Sequence, residues 1–409
     1  MRLLVYSHDT FGLGNIRRML AICGHLRDRD PDSSILMLTG SPMAHDFRQT
    51  QGLEYIKLPC LRRDPKGRLG ARYLSLTVEK TLALRKKIIL DAAAAFEPEV
   101  FLVDKTPGGL SGELEPALEH LRVHVPFAKN VLLLRDILDT PMATREMWKR
   151  NRYHEILERY YDRVLIAGLP EIFDAPAEYG FSSNARRIAR FSGYIGREPG
   201  PQTSDEIRRR IGAAPNDRIV TVTTGGGEDG YAILDNCLRA MREPYWPKTA
   251  LTVMVTGPEL DAAYKNALFA AARGMERVRM TEFSDDMMSL FGASDLVISM
   301  GGYNTTCEVL SLRKRAIVIP RTVPVEEQSI RAERMAKLGL FRMIPQPELT
   351  PARLALEAAQ ELAQAHLKPG VSIDMKGLDY IAADLERLAA FARRFSPALK
   401  AEEEVLEVA

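Results

Sequence analysis

One stretch, residues 295–332 (DLVISMGGYNTTCEVLSLRKRAIVIPRTVPVEEQSIRA), constrains the chain more than any other. Its apolar run Leu296-Val297-Ile298 stops at Gly301-Gly302, a helix is expected from about Asn304, and Ala316-Ile317-Val318-Ile319 forms the next apolar run. Short continuous apolar runs separated by helical segments are what parallel strands, covered on both faces, require. The stretch therefore predicts strand, glycine turn, helix, strand, proline-bounded loop and helix. Ligands of open parallel sheets collect beyond the carboxyl ends of the strands. Two polar clusters, residues 301–308 and Glu326-Glu327-Gln328, each follow such an end, so the functional search starts there.

The same alternation runs through the chain, so an α/β fold is expected. Single cores stop growing near ~250–300 residues, so 409 residues predict two domains. The rhythm breaks at residues 193–204, GYIGREPGPQTS, where glycine and proline mark a boundary. The expected division is 1–195, 196–374, and a C-terminal portion, 375–409, whose helix packs back on the first domain before an acidic tail at Glu402-Glu403-Glu404. The 56 basic and 54 acidic residues nearly cancel, which argues against a nucleic-acid partner. Cys23, Cys60, Cys237 and Cys307 show no ligand or disulfide spacing, so a reducing, cytoplasmic setting is expected. No signal-like stretch opens the sequence, and no apolar run nears the ~18–20 residues of a membrane span.

Two strand-to-helix passages carry glycine. The first follows the strand Arg2–Ser7 as His8-Asp9-Thr10-Phe11-Gly12-Leu13-Gly14-Asn15. It lacks the third glycine of a dinucleotide fingerprint, so it reads as an anion cradle or simply a tight turn. The second is Thr224-Gly225-Gly226-Gly227-Glu228-Asp229-Gly230. Asp104 and Asp136 also lie just past strand ends and suit either chemistry or helix capping. The loop at residues 61–72 holds five positive charges against one negative; it could meet an acidic acceptor or an anionic membrane, and the plainer reading is a solvated loop. Asp28-Arg29-Asp30 spells a DxD but falls at a helix end before a strand, which reads as a solvated turn.

The segment EFSDDMMSLFGASDLVISMGGYNTTCEVLSLRKRAIVIPRTVPVEEQSIRAERM resembles the donor domain of family 28 glycosyltransferases, whose type member adds N-acetylglucosamine to a lipid-linked peptidoglycan precursor. The shared motifs are a glycine loop after the first strand of each domain, a phenylalanine loop before a DDM-like helix start, a Gly-to-Glu turn and a glutamine-bearing helix. FLVDKTPGGLSGELEPALEHLR and LLLRDILDTP are closer to a bacterial branch of predicted glycosyltransferases. The resemblance implies a GT-B fold, two Rossmann-like doubly wound domains facing across a cleft. The first domain would bind the acceptor and the second the nucleotide sugar. The implied activity is inverting transfer of a hexosyl or N-acetylhexosaminyl group from a UDP-linked donor to an acceptor hydroxyl, metal-independent and without a cofactor. The alternatives are a nucleotide-sugar epimerase of the same fold, or a sugar-nucleotide-binding protein without transfer activity. The implied partners are the donor and a small-molecule, glycan or lipid-linked acceptor, with weak peripheral contact at the inner face of a membrane.

Matched residue by residue, Glu308 takes the ribose hydroxyls, and Gly301, Gly302, Asn304 and Thr305 form the phosphate turn. Gly225, Gly226 and Gly227 form the first donor loop, with Glu228 and Asp229 expected to point away or to cap the helix. Phe283 and Ser284 flank the base, Arg197 stands near the phosphates, and Glu327 and Gln328 contact the sugar. Gly14 and Asn15 belong to the first-domain loop, where Asn15 replaces the family's usual histidine and cannot act as a base. The general base is then sought among His8, Asp9, Asp104 and Asp136, with Asp9 and His8 favoured.

Overall fold

The computed structural model describes residues 1–8, 14–41, 52–63, 69–364 and 371–395. It divides into two units, Met1–Ile195 continued by Lys376–Ala409, and Gly196–Met375.

The strands of the first unit are β1 (Arg2–Ser7), β2 (Ser34–Thr39), β3 (Leu53–Lys57), β4 (Leu61–Arg63), β5 (Leu69–Ala71), β6 (Val100–Asp104), β7 (Lys129–Arg135), β8 (Arg163–Ala167) and β9 (Ala189–Phe191). Seven of them form one sheet in the order β3-β2-β1-β6-β7-β8-β9, every pair parallel. The central strands are buried throughout: Leu3, Leu4, Val5 and residues 100–104 are shielded from solvent, as a sheet covered by helices on both faces demands. The chain runs outward from β1 to β3 and returns to β6, so the order reverses between β1 and β6. The remaining two strands correct the solvated-loop reading at the two ends of residues 61–72: β4 and β5 pair antiparallel, Leu61 opposite Ala71, while residues 64–68 lie outside the described residues. Residues 141–160 form two helices, Pro141–Arg150 and Tyr153–Tyr160, broken where Arg152 turns left-handed at φ 55°.

The second unit holds β10 (Arg218–Thr223), β11 (Ala250–Val255), β12 (Val278–Thr281), β13 (Leu296–Ser299), β14 (Ala316–Val318) and β15 (Arg342–Met343). They form a parallel sheet in the order β12-β11-β10-β13-β14-β15, which reverses between β10 and β13. Val220, Val222, Met254, Leu296 and Ile298 pack on one face against Ile233, Leu234, Leu238, Leu354 and Ala358. Ile219, Val253 and Val255 point to the other face, against Ile207 and Leu290. This alternation along a single strand is the two-residue period of an extended chain.

The C-terminal helix, Gly377–Phe395, returns to the first unit, where Arg29 forks Glu386 (2.8 and 2.9 Å) and Arg163 pairs with Asp384 (2.9 Å). The two passages of chain between units run side by side. Gly377 N donates to Tyr194 O (2.9 Å) and Gly196 N to Met375 O (3.1 Å). A Cβ on Gly377 would meet Tyr194 O at 2.6 Å, and one on Gly196 would meet Met375 O at 2.4 Å, so both backbones need glycine to approach so closely. Among the described residues no helix is long and apolar enough to cross a membrane.

Buried tyrosines give the first unit an alkaline limit. Tyr6 donates to Glu113 Oε1 (2.6 Å), and burial, then the Glu113 charge, holds its hydroxyl well above the ordinary tyrosine range. Burial does the same to Tyr161 and pushes Tyr179 up to about 12. The folded state keeps these protons while unfolded tyrosine loses them near pH ~10, so their contribution is intact below ~10 and disappears as pH rises toward the folded values. Each should remove about 1.4 kcal/mol of stability per pH unit above that point. Urea midpoints at pH 9, 10 and 11 should fall progressively, and less steeply in Tyr161→Phe; an unchanged midpoint across that range refutes the assignment.

Candidate functional site

In the second unit the chemistry gathers where the strand order reverses. β10 and β13 are neighbours with Thr223 opposite Ser299, so the loops leaving them emerge together. From β10 comes the glycine loop. Gly225 (φ 70°) and Gly227 (φ 98°) are left-handed, and a Cβ on Gly227 would lie 2.3 Å from Thr256 O. Gly226 O accepts from Glu259 N (2.8 Å), which fastens the loop to the turn after β11. Gly225 is exposed and has open space around its Cα, so a ligand can approach the backbone there.

From β13 comes Gly301-Gly302 and the helix Tyr303–Ser311. Gly301 is left-handed (φ 72°), and Gly302 is the N-cap with no side chain to cap the first N–H groups. An uncapped helix N-terminus presents backbone donors and a partial positive charge, suited to a phosphate. Asn304 and Thr305 are half-buried in its first turn, while Glu308, one turn on, is 2 % exposed. A solvated helix face is thus excluded for Glu308; it is a carboxylate held in the protein.

The turn stands on the helix Glu327–Lys337. Arg331, 0 % exposed, donates to Gly301 O (3.2 Å) and to Glu327 Oε2 (3.0 Å), and its guanidinium lies 5.6 Å from the Tyr303 ring centre. Gln328 is buried beside it. In the amide orientation that matches donors to acceptors, Gln328 Nε2 donates to Met300 O (2.8 Å) and Oε1 accepts from Arg321 Nε (3.2 Å). Arg321 Nη1 in turn donates to Asp229 Oδ2 (2.7 Å), joining the loop after β14 to the glycine loop after β10. Asp229 therefore neither points away nor caps a helix, as the sequence suggested. Nearby negative charge on that loop is balanced by Arg321.

The other expected residues lie at more distant points of the unit. Phe283 is 57 % exposed past the end of β12, so a core role is excluded, and its carbonyl accepts from Thr281 Oγ1 (3.0 Å). Ser284 follows it, half-buried. The cap of the next helix is Asp286, which accepts from Ser289 N (2.9 Å). Arg197 N donates to Ser311 Oγ (2.9 Å), at the far end of the helix from Gly302, roughly 13 Å away at 1.5 Å per residue. Its backbone is thus tied near Glu308, not beside the glycine loop.

In the first unit the corresponding reversal lies between β1 and β6. His8, buried at the end of β1, shares a 3.1 Å hydrogen bond between Nδ1 and Thr106 Oγ1. Asn15 Nδ2 donates to His8 O (2.5 Å) across the start of the helix Gly14–Arg29, so asparagine serves here as a backbone tie. Asp9 and Gly12 lie outside the described residues. Asp104 and Asp136 are fully buried in bracing contacts. Asp104 pairs with buried Arg18 (2.5 Å), and Asp136 accepts from Ile137 N (2.8 Å) and Tyr194 O–H (3.0 Å). Both are built into the unit's interior.

Residues 221–372 match the glycosyltransferase family 28 C-terminal domain. The chain is 30 % identical over 192 residues to the UDP-N-acetylglucosamine--N-acetylmuramyl-(pentapeptide) pyrophosphoryl-undecaprenol N-acetylglucosamine transferase of Vibrio cholerae serotype O1 (strain M66-2), across 44 % of this chain and 51 % of that protein. It thus spans about half the length of the curated relatives it matches. Among solved structures, MurG of Acinetobacter baumannii superposes with a TM-score of 0.61 at 13 % identity, covering 94 % of this chain and 99 % of that one. The UDP-GlcNAc 2-epimerase of Methanocaldococcus jannaschii gives 0.61 at 11 % identity, covering 95 % and 100 %. At such identities the likeness establishes the fold, which is GT-B with two Rossmann-like domains.

Proposed function

We propose, on the family 28 likeness of residues 221–372 and the geometry above, that the chain is an inverting glycosyltransferase using a UDP-sugar donor and an acceptor hydroxyl. The observation that carries this reading is the pair of glycine turns at the β10–β13 reversal, one of them opening an uncapped helix. Two adjacent sets of backbone donors suit a diphosphate, and its departure is the step that transfer must stabilise. On this reading Gly225, Gly226 and Gly227 face the diphosphate from one side, and Gly301, Gly302, Asn304 and Thr305 from the other. Glu308 accepts two hydrogen bonds from the ribose hydroxyls, Phe283 and Ser284 border the base, and Glu327 and Gln328 stand toward the sugar. Arg197 supports the Glu308 end of the helix.

In inverting transfer the acceptor oxygen attacks the anomeric carbon from the face opposite the leaving diphosphate, while a base takes the hydroxyl proton. We assign that base to the end of β1, to His8 with Asp9. The Thr106 contact fixes the His8 ring. The acceptor we propose is lipid-linked, as in the name of the Vibrio cholerae relative. Exposed Tyr73, Leu74 and Leu76, beside Arg72, would give weak peripheral contact with an anionic membrane.

The reading is tested by measuring UDP release from a panel of UDP-sugars, with and without bacterial lipid extract. Extract-dependent release is expected. Conversion at a sugar carbon without acceptor would replace transfer by epimerisation, and binding without turnover in every condition would reduce the protein to a sugar-nucleotide binder.

A further inference from the structure

We propose that Arg321 is the cation that receives the terminal phosphate of the donor, and that Asp229 holds it in place until donor binds. The proposal rests on the donor reading above and adds to it a residue outside the matched motifs.

Position is the first argument. Arg321 follows β14 and reaches across the reversal point, touching Gln328 under the Gly301 turn and Asp229 on the glycine loop. Its guanidinium thus spans the two sets of backbone donors between which a diphosphate would lie. Contrast with Arg331 is the second. Arg331 is sealed in the interior, with Nη1 on Gly301 O and Nη2 on Glu327, so it supports the turn from below. The Arg321 side chain is 27 % exposed, and its Nη2 has no hydrogen-bond partner among the described residues. A planar guanidinium with one edge held and the other open is suited to a phosphate oxygen pair.

The third argument is the partner. A carboxylate on the rim of an anion site opposes binding unless something neutralises it. Asp229 is 39 % exposed, and ion pairs open to water are weakly held. The Arg321–Asp229 bond can therefore be exchanged for a bond to phosphate at small expense, with Asp229 turning to solvent.

The test is calorimetric titration of the full chain with UDP and UMP, which differ by the phosphate in question, alongside the guanosine and adenosine pairs. The wild type should bind the diphosphate of its preferred nucleoside more tightly than the monophosphate. Arg321→Gln should weaken diphosphate binding about 10- to 100-fold and leave monophosphate binding unchanged. Arg321→Lys should fall between, keeping the charge without the fork. Asp229→Asn should strengthen diphosphate binding several-fold by releasing the arginine. If Arg321→Gln weakens both nucleotides equally, or Asp229→Asn weakens diphosphate as Arg321→Gln does, the pair only staples two loops and the proposal is overturned while the donor reading stands. If the wild type binds no nucleotide, both fall. Melting curves of each variant separate lost contacts from lost fold.

Discussion

Glu308→Ala should abolish measurable UDP binding, at least 100-fold weaker in titration calorimetry, while the protein still melts cooperatively. Two ribose hydroxyls donating to one carboxylate are charge-assisted bonds, each of about 1.5–3 kcal/mol, so removing both is worth roughly two to four orders of magnitude. Burial strengthens the expectation, because Glu308 is 2 % exposed and its carboxylate is already ordered before the ligand arrives. A ribose role also predicts discrimination. The wild type should prefer UDP over 2′-deoxy-UDP, and Glu308→Ala should bind the two equally weakly. Undiminished UDP affinity in the alanine variant, or equal loss for both nucleotides in Glu308→Gln, would remove Glu308 from the ribose.

Arg331→Met is the second large effect, and it is read in stability. The substitution deletes the ion pair with Glu327 and the bond to Gly301 O, and leaves the Glu327 carboxylate in the interior. Stranding one partner of a buried pair costs about 3–5 kcal/mol. For a unit of this size that lowers Tm by roughly 6–20 °C. Removing the second charge as well should recover much of the loss, since a buried pair and an apolar replacement are often close in free energy. Arg331→Met with Glu327→Leu should therefore melt above Arg331→Met alone. If the double variant is no better than the single, the bond to Gly301 O outweighs the ion pair in holding the turn.

The sheets were legible because strands covered on both faces must read as continuous apolar runs. Leu3-Leu4-Val5, Val100-Phe101-Leu102-Val103 and Leu296-Val297-Ile298 do so, and each is a strand in the structure. Short edge pieces carry no such signal. The Leu61–Arg63 and Leu69–Ala71 hairpin sits in a run of arginines and looked like loop. The break at Arg152 has neither glycine nor proline to announce it. The glycine turns showed in sequence because left-handed backbone restricts the residue choice, whereas their supports did not. Glu327 and Arg331 are four apart on a helix, a spacing as common on wet faces as on buried ones, and only packing distinguishes the two. Asp229 and Arg321 are far apart in sequence, and their meeting follows from the strand order.

The paired crossings at residues 194–196 and 375–377 have a modular consequence. Because Gly196 N reaches Met375 O, the second unit begins and ends at one point, and in chain topology it is an insert between β9 and the C-terminal helix of the first. Its own sheet, core and both glycine turns lie within that insert. Exchanging one such segment for another would alter the unit proposed to bind the nucleotide while the host's strand order and hydrogen bonding stay as they are. Adjacent ends also make the insert a natural candidate for circular permutation, with Gly196 and Met375 joined by a short linker.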